Sequence, residues 1–120
     1  AIAMGNRVVL IPSQRYASIA LELVQTIETS DIPPGVINII TGNKSELADQ
    51  LAGHAEVDGV WCWSDDETIA KVETTSAADL KRLWVHQEGD RDWLDPQQGE
   101  GLEFLRNATE VKNIWTPYGD

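Results

Sequence analysis

Apolar residues along this chain occur in short runs, separated by segments in which apolar positions recur at helical spacing. Short apolar runs bounded by turn residues are typical of strands that are buried in a sheet. The predicted strands are residues 7–11, 36–40, 57–63 and 80–86. The predicted helices are residues 15–29, residues 46–51 with Ser45 as the cap, and a third helix that starts at Ser64. Strands that alternate with helices predict an α/β fold with a parallel sheet and right-handed crossovers.

The start of the chain and the segment after the last of these strands differ from this pattern. Ala1–Met4 is similar to the last turn of a helix that Gly5-Asn6 closes, so we expect the sequence to have been cut from a longer chain. Residues 87–101 are polar and rich in turn formers, which predicts a linker. A helical turn is expected over residues 101–106.

The last segment predicts a separate strand over Thr109–Thr116, ended by Pro117 and Gly119. A single strand of this length is not stable alone, so we expect it to pair with another chain or domain. The sequence is therefore divided into an α/β domain, residues 1–96, and a linker with a C-terminal oligomerisation arm, residues 97–120.

Composition and charge restrict the partners that the chain can bind. Its 120 residues, 42% of them hydrophobic, are enough for one domain with a modest core. A formal net charge of −11 disfavours nucleic acid and anionic membrane surfaces as partners. The single cysteine excludes an internal disulfide, and no apolar run approaches the roughly 20 residues of a membrane span. Ala1–Met4 lacks the basic start of a signal peptide, so the cytoplasm is the expected location.

Four motifs in the first 90 residues resemble the aldehyde dehydrogenase superfamily. The segment AMGNRVVLIPSQ resembles the family pattern A-x-G-N-x-V-V-x-K-P-S-E, and IPPGVINIITG resembles L-P-P-G-V-x-N-V-V-x-G. HAEVDGVWCWSDD and LKRLWVHQEGD align with H-P-x-V-D-x-I-x-F-T-G-S and L-K-x-V-x-L-E-L-G-G-K. At the end of the chain, GLEFLRNATEVKNIWTPYG resembles the family's C-terminal strand, which is used in subunit assembly. The resemblance implies a half-size Rossmann-like parallel sheet flanked by helices, followed by an extended assembly strand. Residues 1–96 would then be a degenerate nucleotide-binding-like α/β domain.

The resemblance also implies that the catalytic chemistry is absent. In the family, a large catalytic domain with the nucleophilic cysteine separates the two matched regions, whereas here a short polar linker does. Cys62 stands at the family's phenylalanine position inside a strand, where a thiol is usually an inert small hydrophobe. His86 takes the place of the family's general-base glutamate, with Glu88 nearby but out of register. With no nucleophile beside it, His86 is interpreted as a structural or surface histidine, and no catalytic residue is predicted.

The cofactor site departs from the family pattern as well. The family's lysine, which reaches the adenosine ribose, is Ile11 here, and the glutamate that holds the ribose hydroxyls is Gln14. The family's Gly-Ser pair, which opens a helix N-terminus to the pyrophosphate, is replaced by Ser64 and the acidic run Asp65–Glu67. Three carboxylates there are expected to satisfy the free N–H groups of the helix and to repel a dinucleotide. We therefore predict no cofactor-binding residue, no cofactor and no metal site.

The chain has five tryptophans, and each of them either packs in the core or belongs to a contact surface. Trp61, Trp63 and Trp84 lie on predicted strands, where core packing is favoured and a contact surface is the alternative. Trp93 falls in the linker. Trp115 falls in the terminal strand, where an exposed tryptophan is more often an interface anchor than an isolated surface residue.

These observations favour a role in assembly. The chain is interpreted as a degenerate, non-catalytic unit of a larger aldehyde-dehydrogenase-like protein, similar to a branch of the family whose long chains carry a second, defective unit. The parent protein would oxidise aldehydes with NAD(P) in its other half. The expected partner is a second copy or the rest of the parent chain, contacted through Val111, Ile114 and Trp115.

Two other functions stay open at this point. The first is a nucleotide-binding module that holds or senses NAD(P) without chemistry. The residues in favour of it are Gly42, Pro12 and Ser13, and the residues against it are Ile11 and Asp65. The second is an enzyme with a site newly built around His86, Glu88 and Asp90.

Overall fold

The computed structural model describes residues 1–117, which contain four strands and five α-helices. The strands are β1 Val8–Leu10, β2 Ile37–Ile39, β3 Gly59–Ser64 and β4 Arg82–Gln87. The helices are α1 Ala17–Glu28, α2 Lys44–Ala52, α3 Asp66–Ser76, α4 Pro96–Gly99 and α5 Leu102–Asn107. No helix within residues 1–117 is long and apolar enough to cross a membrane. The α/β class that the sequence predicts is confirmed.

β1 and β2 pair in parallel, with Val8 opposite Ile37 and Leu10 opposite Ile39. α1 lies between them in sequence and forms the crossover that parallel neighbours require. Positions 17, 20, 24 and 27 of α1 are spaced for one helical face, and all four are half-buried. None of the 12 residues of α1 is fully buried, so this unit shields its apolar residues incompletely.

β3 and β4 also pair in parallel, in a register that sets Cys62 opposite Val85 and Trp63 opposite His86. Because side chains alternate across a strand, the two faces of this sheet carry different residues. One face packs on α2 and α3 and forms the core. The buried hydrophobic residues of this core are Ala48, Ala52, Cys62 and Val72. Small residues on α2 let it approach the sheet and α3 closely.

The four strands form two sheets of two strands each, and not the single sheet that the sequence predicts. β1 and β2 have three residues each, which provides few backbone hydrogen bonds for adding a neighbour. Val9, Leu10 and Ile40 stay between 36% and 41% exposed, so the second sheet does not cover this unit. The parallel pairing of neighbouring strands is confirmed. The prediction that all four strands join in one sheet is wrong.

A turn of 3-10 helix at Ile2–Met4 precedes β1 and ends at Gly5, whose φ of 83° lies in the left-handed region. Glycine adopts this conformation readily because it has no Cβ, and the sequence predicts this cap at Gly5-Asn6. The Nδ2 group of Asn6 then donates to the carbonyl oxygen of Ala108 at 2.8 Å. This hydrogen bond ties the start of the chain to the residue that follows α5.

The cap of α2 is Asn43, and the prediction of Ser45 is wrong. The side-chain oxygen of Asn43 accepts from the backbone N–H groups of Ser45 and Glu46 at 3.1 and 3.3 Å. Ser45 lies inside the first turn of the helix, so its own N–H is one of the groups that need a cap.

Replacing Asn43 with alanine is expected to lower the free energy of unfolding by about 1 kcal/mol, because two N–H groups lose their acceptor. Ser45→Ala is the matched control, since it removes a hydroxyl that caps neither group and adds a residue that favours helix. Chemical denaturation of the two variants measures the difference. Equal losses in both variants would show that Asn43 does not act as the cap.

Residues 88–107, which we call the strap, lie over the second face of the β3–β4 sheet. The sequence predicts a linker for most of this segment, whereas the structure shows a folded segment that contains α4 and α5. Asp95 caps α4 by accepting from the N–H of Gln97 at 2.9 Å. A Cβ at Gly99 would lie 2.5 Å from the carbonyl oxygen of Trp93, so only glycine fits this close approach. Turn residues therefore fold the strap onto itself.

The described part of the arm after α5, residues 109–117, contains no strand, although the sequence predicts one over Thr109–Thr116. A strand requires hydrogen bonds to a neighbouring strand, and the single chain pairs none with these residues. Val111, Ile114 and Trp115 are 86%, 84% and 93% exposed. Gly119, which the sequence predicts to end the arm, lies outside the described residues.

Candidate functional site at the ends of β3 and β4

Cys62 and His86 are the candidate nucleophile and base that the sequence analysis considered, and both lie in the β3–β4 sheet. Cys62 lies in the core between the sheet and the helices, beside Ala48 and Val72. His86 lies on the other face, where its ring stacks on Trp63 with 6.0 Å between centroids. A nucleophile and its base must be within hydrogen-bonding reach of each other. The sheet itself separates these two side chains.

The environment of Cys62 is that of a core residue. Its side chain is buried, and burial raises the pKa of the Cys62 thiol above its ordinary value. The ammonium group of Lys44 acts in the opposite direction, with a smaller effect on the pKa. Because the thiolate is the reactive form, a buried thiol with a raised pKa is a poor nucleophile.

His86 is held between aromatic rings. Besides stacking on Trp63, its ring meets Trp84 edge-on, at 5.8 Å between centroids. Its Nε2 atom is buried and has no hydrogen-bond partner among the described residues. A general base needs a nitrogen that reaches the proton it removes, and the packing leaves this nitrogen inside the protein.

The other two residues of the candidate newly built site are not brought to His86. The carboxylate of Asp90 accepts from the backbone N–H of Gln87 at 2.9 Å, and Glu88 is exposed. Within residues 1–117, no group of three His, Cys, Asp or Glu side chains is placed to hold a metal ion.

The N-terminus of α3 is capped by one of its three carboxylates. Asp65 accepts from the backbone N–H of Thr68 at 2.9 Å and from the hydroxyls of Thr68 and Ser64 at 3.1 and 3.2 Å. The hydrogen bond from the Thr68 N–H is the main cause that lowers the pKa of Asp65 below its ordinary value. Asp66 instead accepts from the side chain of Gln87. The sequence predicts that all three acids accept hydrogen bonds from the free N–H groups at the start of α3. This prediction is wrong for Asp66, and the capping hydrogen bond is made by Asp65.

The cap at Asp65 predicts a loss of stability in acid. Because its pKa is lowered in the folded state, the cap stabilises the fold above the ordinary value of 3.8, and this contribution is lost as the pH falls through the lowered pKa. Asp65→Asn keeps a capping oxygen that does not titrate, so its unfolding free energy is expected to depend less on pH in this range. Urea denaturation at a series of acidic pH values measures both slopes. An identical pH dependence in the two proteins would contradict the assignment.

Two contacts that the sequence did not predict close the carboxyl ends of the strands. The Nζ atom of Lys44 donates to the carbonyl oxygen of Trp63 at 2.6 Å, and Nε2 of Gln87 donates to Asp66 at 2.6 Å. In open α/β sheets, ligands bind outside the carboxyl ends of the strands. Here the side chains of Lys44 and Gln87 already bind polar groups at this end of β3 and β4. No local signal marks Lys44 or Gln87, because their partners lie 19 and 21 residues away in sequence.

The candidate cofactor positions are divided between the two sheets. Ile11 follows β1, and Gln14 starts a 3-10 turn that leads into α1, whereas Asp65 belongs to the β3–β4 unit. Gly42 has a packing explanation, since a Cβ there would lie 3.1 Å from the side chain of Leu47. These positions therefore belong to two units of the fold that share no sheet.

The second face of the β3–β4 sheet carries an aromatic cluster. Its members are Trp61, Trp63, Trp84, His86, Trp93 and Phe104. Trp84 is the most central, because its ring lies 4.9 Å from Trp61, 5.1 Å from Trp63 and 5.1 Å from Phe104. Core packing is thus the role of the three strand tryptophans, and Trp93 joins them from the strap at 5.0 Å from Trp63.

Arg91 fastens the strap to this cluster. Its guanidinium lies 5.2 Å from the ring centroids of Trp84 and Phe104 and 5.8 Å from that of Trp93. It also forms an ion pair with Glu103 at 2.9 Å and donates to the carbonyl oxygen of Gln98. Only 11% of the Arg91 side chain is exposed, a level at which a cation needs such partners.

Comparison with known proteins identifies the class to which this α/β chain belongs. The sequence model of the aldehyde dehydrogenase family matches residues 1–94. The chain is 37% identical to the chloroplastic betaine aldehyde dehydrogenase of Amaranthus hypochondriacus over 116 residues, which are 97% of this chain and 23% of that protein. It is 33% identical to the putative aldehyde dehydrogenase DhaS of Bacillus subtilis over 89 residues, 74% of this chain and 18% of that protein. The chain belongs to the aldehyde dehydrogenase family.

The match has two limits that bear on function. This chain spans about a fifth of the length of the curated relatives it matches. The family model matches β1 to β4 and ends at residue 94, before α4, α5 and the arm. The alignment with the betaine aldehyde dehydrogenase of Amaranthus hypochondriacus, by contrast, extends over 97% of this chain and therefore beyond β4. The assignment of residues 101–119 to the family's C-terminal strand stays a prediction.

Proposed function

We propose that this chain is a non-catalytic structural part of an aldehyde-dehydrogenase-like protein and acts in its assembly. The observation that carries this proposal is the placement of Cys62 and His86 on opposite faces of the β3–β4 sheet. In this proposal the parent protein oxidises an aldehyde with NAD(P) in another unit of a two-unit chain, in the cytoplasm. The partner of this chain is a second copy or the rest of the parent.

The chemistry of aldehyde oxidation explains why this placement matters. A covalent route needs an ionised nucleophile that attacks the carbonyl carbon, a base within reach, and a hydride acceptor beside the adduct. The thiol of Cys62 is buried with a raised pKa, and Nε2 of His86 is enclosed by packing. The thiol of Cys62 and the Nε2 atom of His86 are therefore closed to a substrate, and side chains of Lys44 and Gln87 form hydrogen bonds at the carboxyl ends of β3 and β4.

The arm supplies the contact surface in this proposal. Val111, Ile114 and Trp115 are more than four-fifths exposed, so folding of the single chain buries little of them. Covering the three side chains removes roughly 300–400 Å² of apolar surface from water, worth on the order of 8–10 kcal/mol before the entropic costs of association. Backbone pairing with a partner strand would satisfy the N–H and C=O groups of the arm at the same time.

The test compares the whole chain with a variant that ends at Asn107. We expect the whole chain to be at least a dimer at high micromolar concentration and the shortened chain to be a monomer, because the apolar side chains of the arm are removed. Sedimentation velocity or light scattering measures the mass. An oligomer that is unchanged after truncation, or a monomeric whole chain, would remove the assembly role of the arm.

Point substitutions separate the apolar contacts from the backbone of the arm. The triple variant Val111→Ser, Ile114→Ser, Trp115→Ser is expected to dissociate as the truncated chain does. Lys112→Ala is the matched control on the same segment. Its ion pair with Glu110, at 3.6 Å, is largely exposed and contributes little, so this variant is expected to keep the mass of the whole chain.

A nucleotide-binding module without chemistry is the second candidate function. The observation in its favour is Lys44, which places a cation at the carboxyl end of β3. Against it, the Lys44 ammonium already binds the carbonyl oxygen of Trp63, and Asp65 fills the start of α3. A titration with NAD, described in the Discussion, distinguishes the two functions.

A further inference from the structure

His86 is a titratable side chain that the structure encloses without a polar partner. Its Nε2 atom is buried and forms no hydrogen bond among residues 1–117. The Nε1 atom of Trp63, the ring on which His86 stacks, is also buried and has no partner in this part of the chain. Buried polar atoms usually have a hydrogen-bond partner. A neutral imidazole fits this enclosure better than a charged one, because protonation adds a charge and turns the bare ring nitrogen into a donor.

The two rings that hold His86 also hold the strap. Trp63 stacks on His86 and lies 5.0 Å, between centroids, from Trp93 of the strap. Trp84 meets His86 edge-on at 5.8 Å between centroids, and the guanidinium of Arg91 lies 5.2 Å from the centroid of the same ring. A shift of the His86 ring therefore disturbs the contacts of Trp93 and Arg91, by which the strap lies on this part of the sheet.

The charged groups of the elements packed around His86 do not favour an imidazolium. The carboxylates of α3 and the strap that already accept a hydrogen bond or an ion pair are Asp66, Asp90, Asp92, Asp95 and Glu103. Glu88 and Glu100 are exposed to water. Among the cations, Arg91 lies on Trp84, and Arg82 is on the same face of β4, about 13 Å further along the strand. The ammonium of Lys44 binds the carbonyl oxygen of Trp63.

We propose that His86 is a pH-sensitive switch of the strap. Its neutral ring lies between Trp63 and Trp84 while the strap is closed, and protonation of the ring releases the strap from the β3–β4 sheet. An imidazolium is attracted to the Trp63 ring, but this gain is smaller than the cost of an unpaired buried charge. The switch does not depend on the arm, and the inference goes beyond the assembly role proposed above.

The direction of the pH effect follows from where the proton binds. In the open state Nε2 of His86 reaches water, so the open state binds the proton more tightly than the closed state. The closed strap is therefore favoured above the pH range in which histidine titrates, and acid favours the open strap. The aromatic face of the sheet is then covered at neutral pH and exposed in mild acid.

Hydrogen exchange of the whole chain, followed by mass spectrometry, tests the switch. Exchange is compared between peptides of residues 88–107 and peptides of α2, after correction for the intrinsic effect of pH on amide exchange. From about pH 7.5 to about pH 5.5, opening of the strap is expected to increase about 10-fold, and the α2 peptides are expected to keep their protection. The cap at Asp65 responds at lower pH. A strap whose exchange does not change over this range would overturn the proposal.

The chain has two histidines, which provide a matched pair of variants. His86→Phe keeps a ring that cannot become charged, so opening is expected to change less than about 2-fold over the same range. In His54→Asn the exposed histidine is replaced by another acceptor for the backbone N–H of Glu56, and the full response is expected to remain. A response that persists in His86→Phe, or that disappears in His54→Asn, would also overturn the switch.

NMR of the His54→Asn variant gives a measurement that does not require His86→Phe to fold. His86 is the one histidine left in this variant, so the ring resonances of histidine report its protonation directly. We expect protonation of His86 and opening of the strap to follow the same pH curve. Protonation of His86 while the strap peptides stay protected would show that the closed cluster accepts the charge, and the proposal would be wrong.

Discussion

Trp84→Ala is expected to lower the free energy of unfolding by about 3–5 kcal/mol. Trp84 is only 9% exposed and lies at the centre of the aromatic cluster, between Trp61, Trp63 and Phe104. Its removal leaves a cavity under the strap and takes away one of the rings that hold Arg91. Because small domains are stable by only about 5–15 kcal/mol, this loss is a large share of the total.

The measurement is equilibrium unfolding in urea, followed by the signal of the helices. Trp115→Ala is the matched control, because the same side chain is removed from a position that is 93% exposed. We expect this control to change the free energy of unfolding of the monomer by less than about 0.5 kcal/mol. A comparable loss in the two variants would mean that the cluster around Trp84 does not stabilise the fold.

The second expected result is the absence of NAD binding at millimolar concentration, together with the absence of aldehyde oxidation. A pyrophosphate at the start of α3 would meet the carboxylates of Asp65–Glu67. Each pair of like charges at about 5 Å costs on the order of 1–3 kcal/mol at an effective dielectric constant of 20–60. The N–H of Thr68, which would face the phosphate, is already bound to Asp65. Ile11, which follows β1 of the other sheet, offers no hydrogen-bond donor from its side chain.

Isothermal calorimetry with NAD measures the first part, and the appearance of NADH with a simple aldehyde measures the second. A full-length aldehyde dehydrogenase serves as the positive control under the same conditions. A micromolar dissociation constant would favour the nucleotide-binding module over the assembly role. Turnover that disappears in Cys62→Ala would show that the thiol is a nucleophile after all.

The elements of this fold were accessible from the sequence because they depend on short-range patterns. The apolar runs around Val8, Ile37 and Trp61 and the helical spacing within α1 each marked an element of the right type, with its ends shifted by a few residues. Gly5 was recognised as a cap because its conformation is nearly specific to glycine. The start of α3 was also visible as a capping-type sequence, although it was placed at Ser64, which is the last residue of β3, whereas the cap is Asp65.

The contacts that the sequence did not reveal are those made across long separations. Arg91 in a polar segment gave no sign that it would lie against Trp84 and Phe104, because cation–aromatic contacts have no sequence spacing. The hydrogen bonds of Lys44 and Gln87 at the strand ends were not predicted for the same reason, since their partners are distant in sequence. Ser45 was predicted as the cap because it is a good capping residue and the helix start was placed at Glu46, two residues too late. The division into two sheets was not predicted either, because the sequence pattern does not show that β1 and β2 have only three paired residues each.

The close packing of the tryptophans has an optical consequence. Indole rings about 5 Å apart, such as Trp61 with Trp84 and Trp63 with Trp93, couple their electronic transitions. The second of these pairs joins the strap to the sheet, whereas the first lies within the sheet. Lifting of the strap would therefore abolish one component of the exciton signal and preserve the other. The protein thus carries an intrinsic spectroscopic reporter of the contact between the strap and the sheet, and this reporter requires no added label.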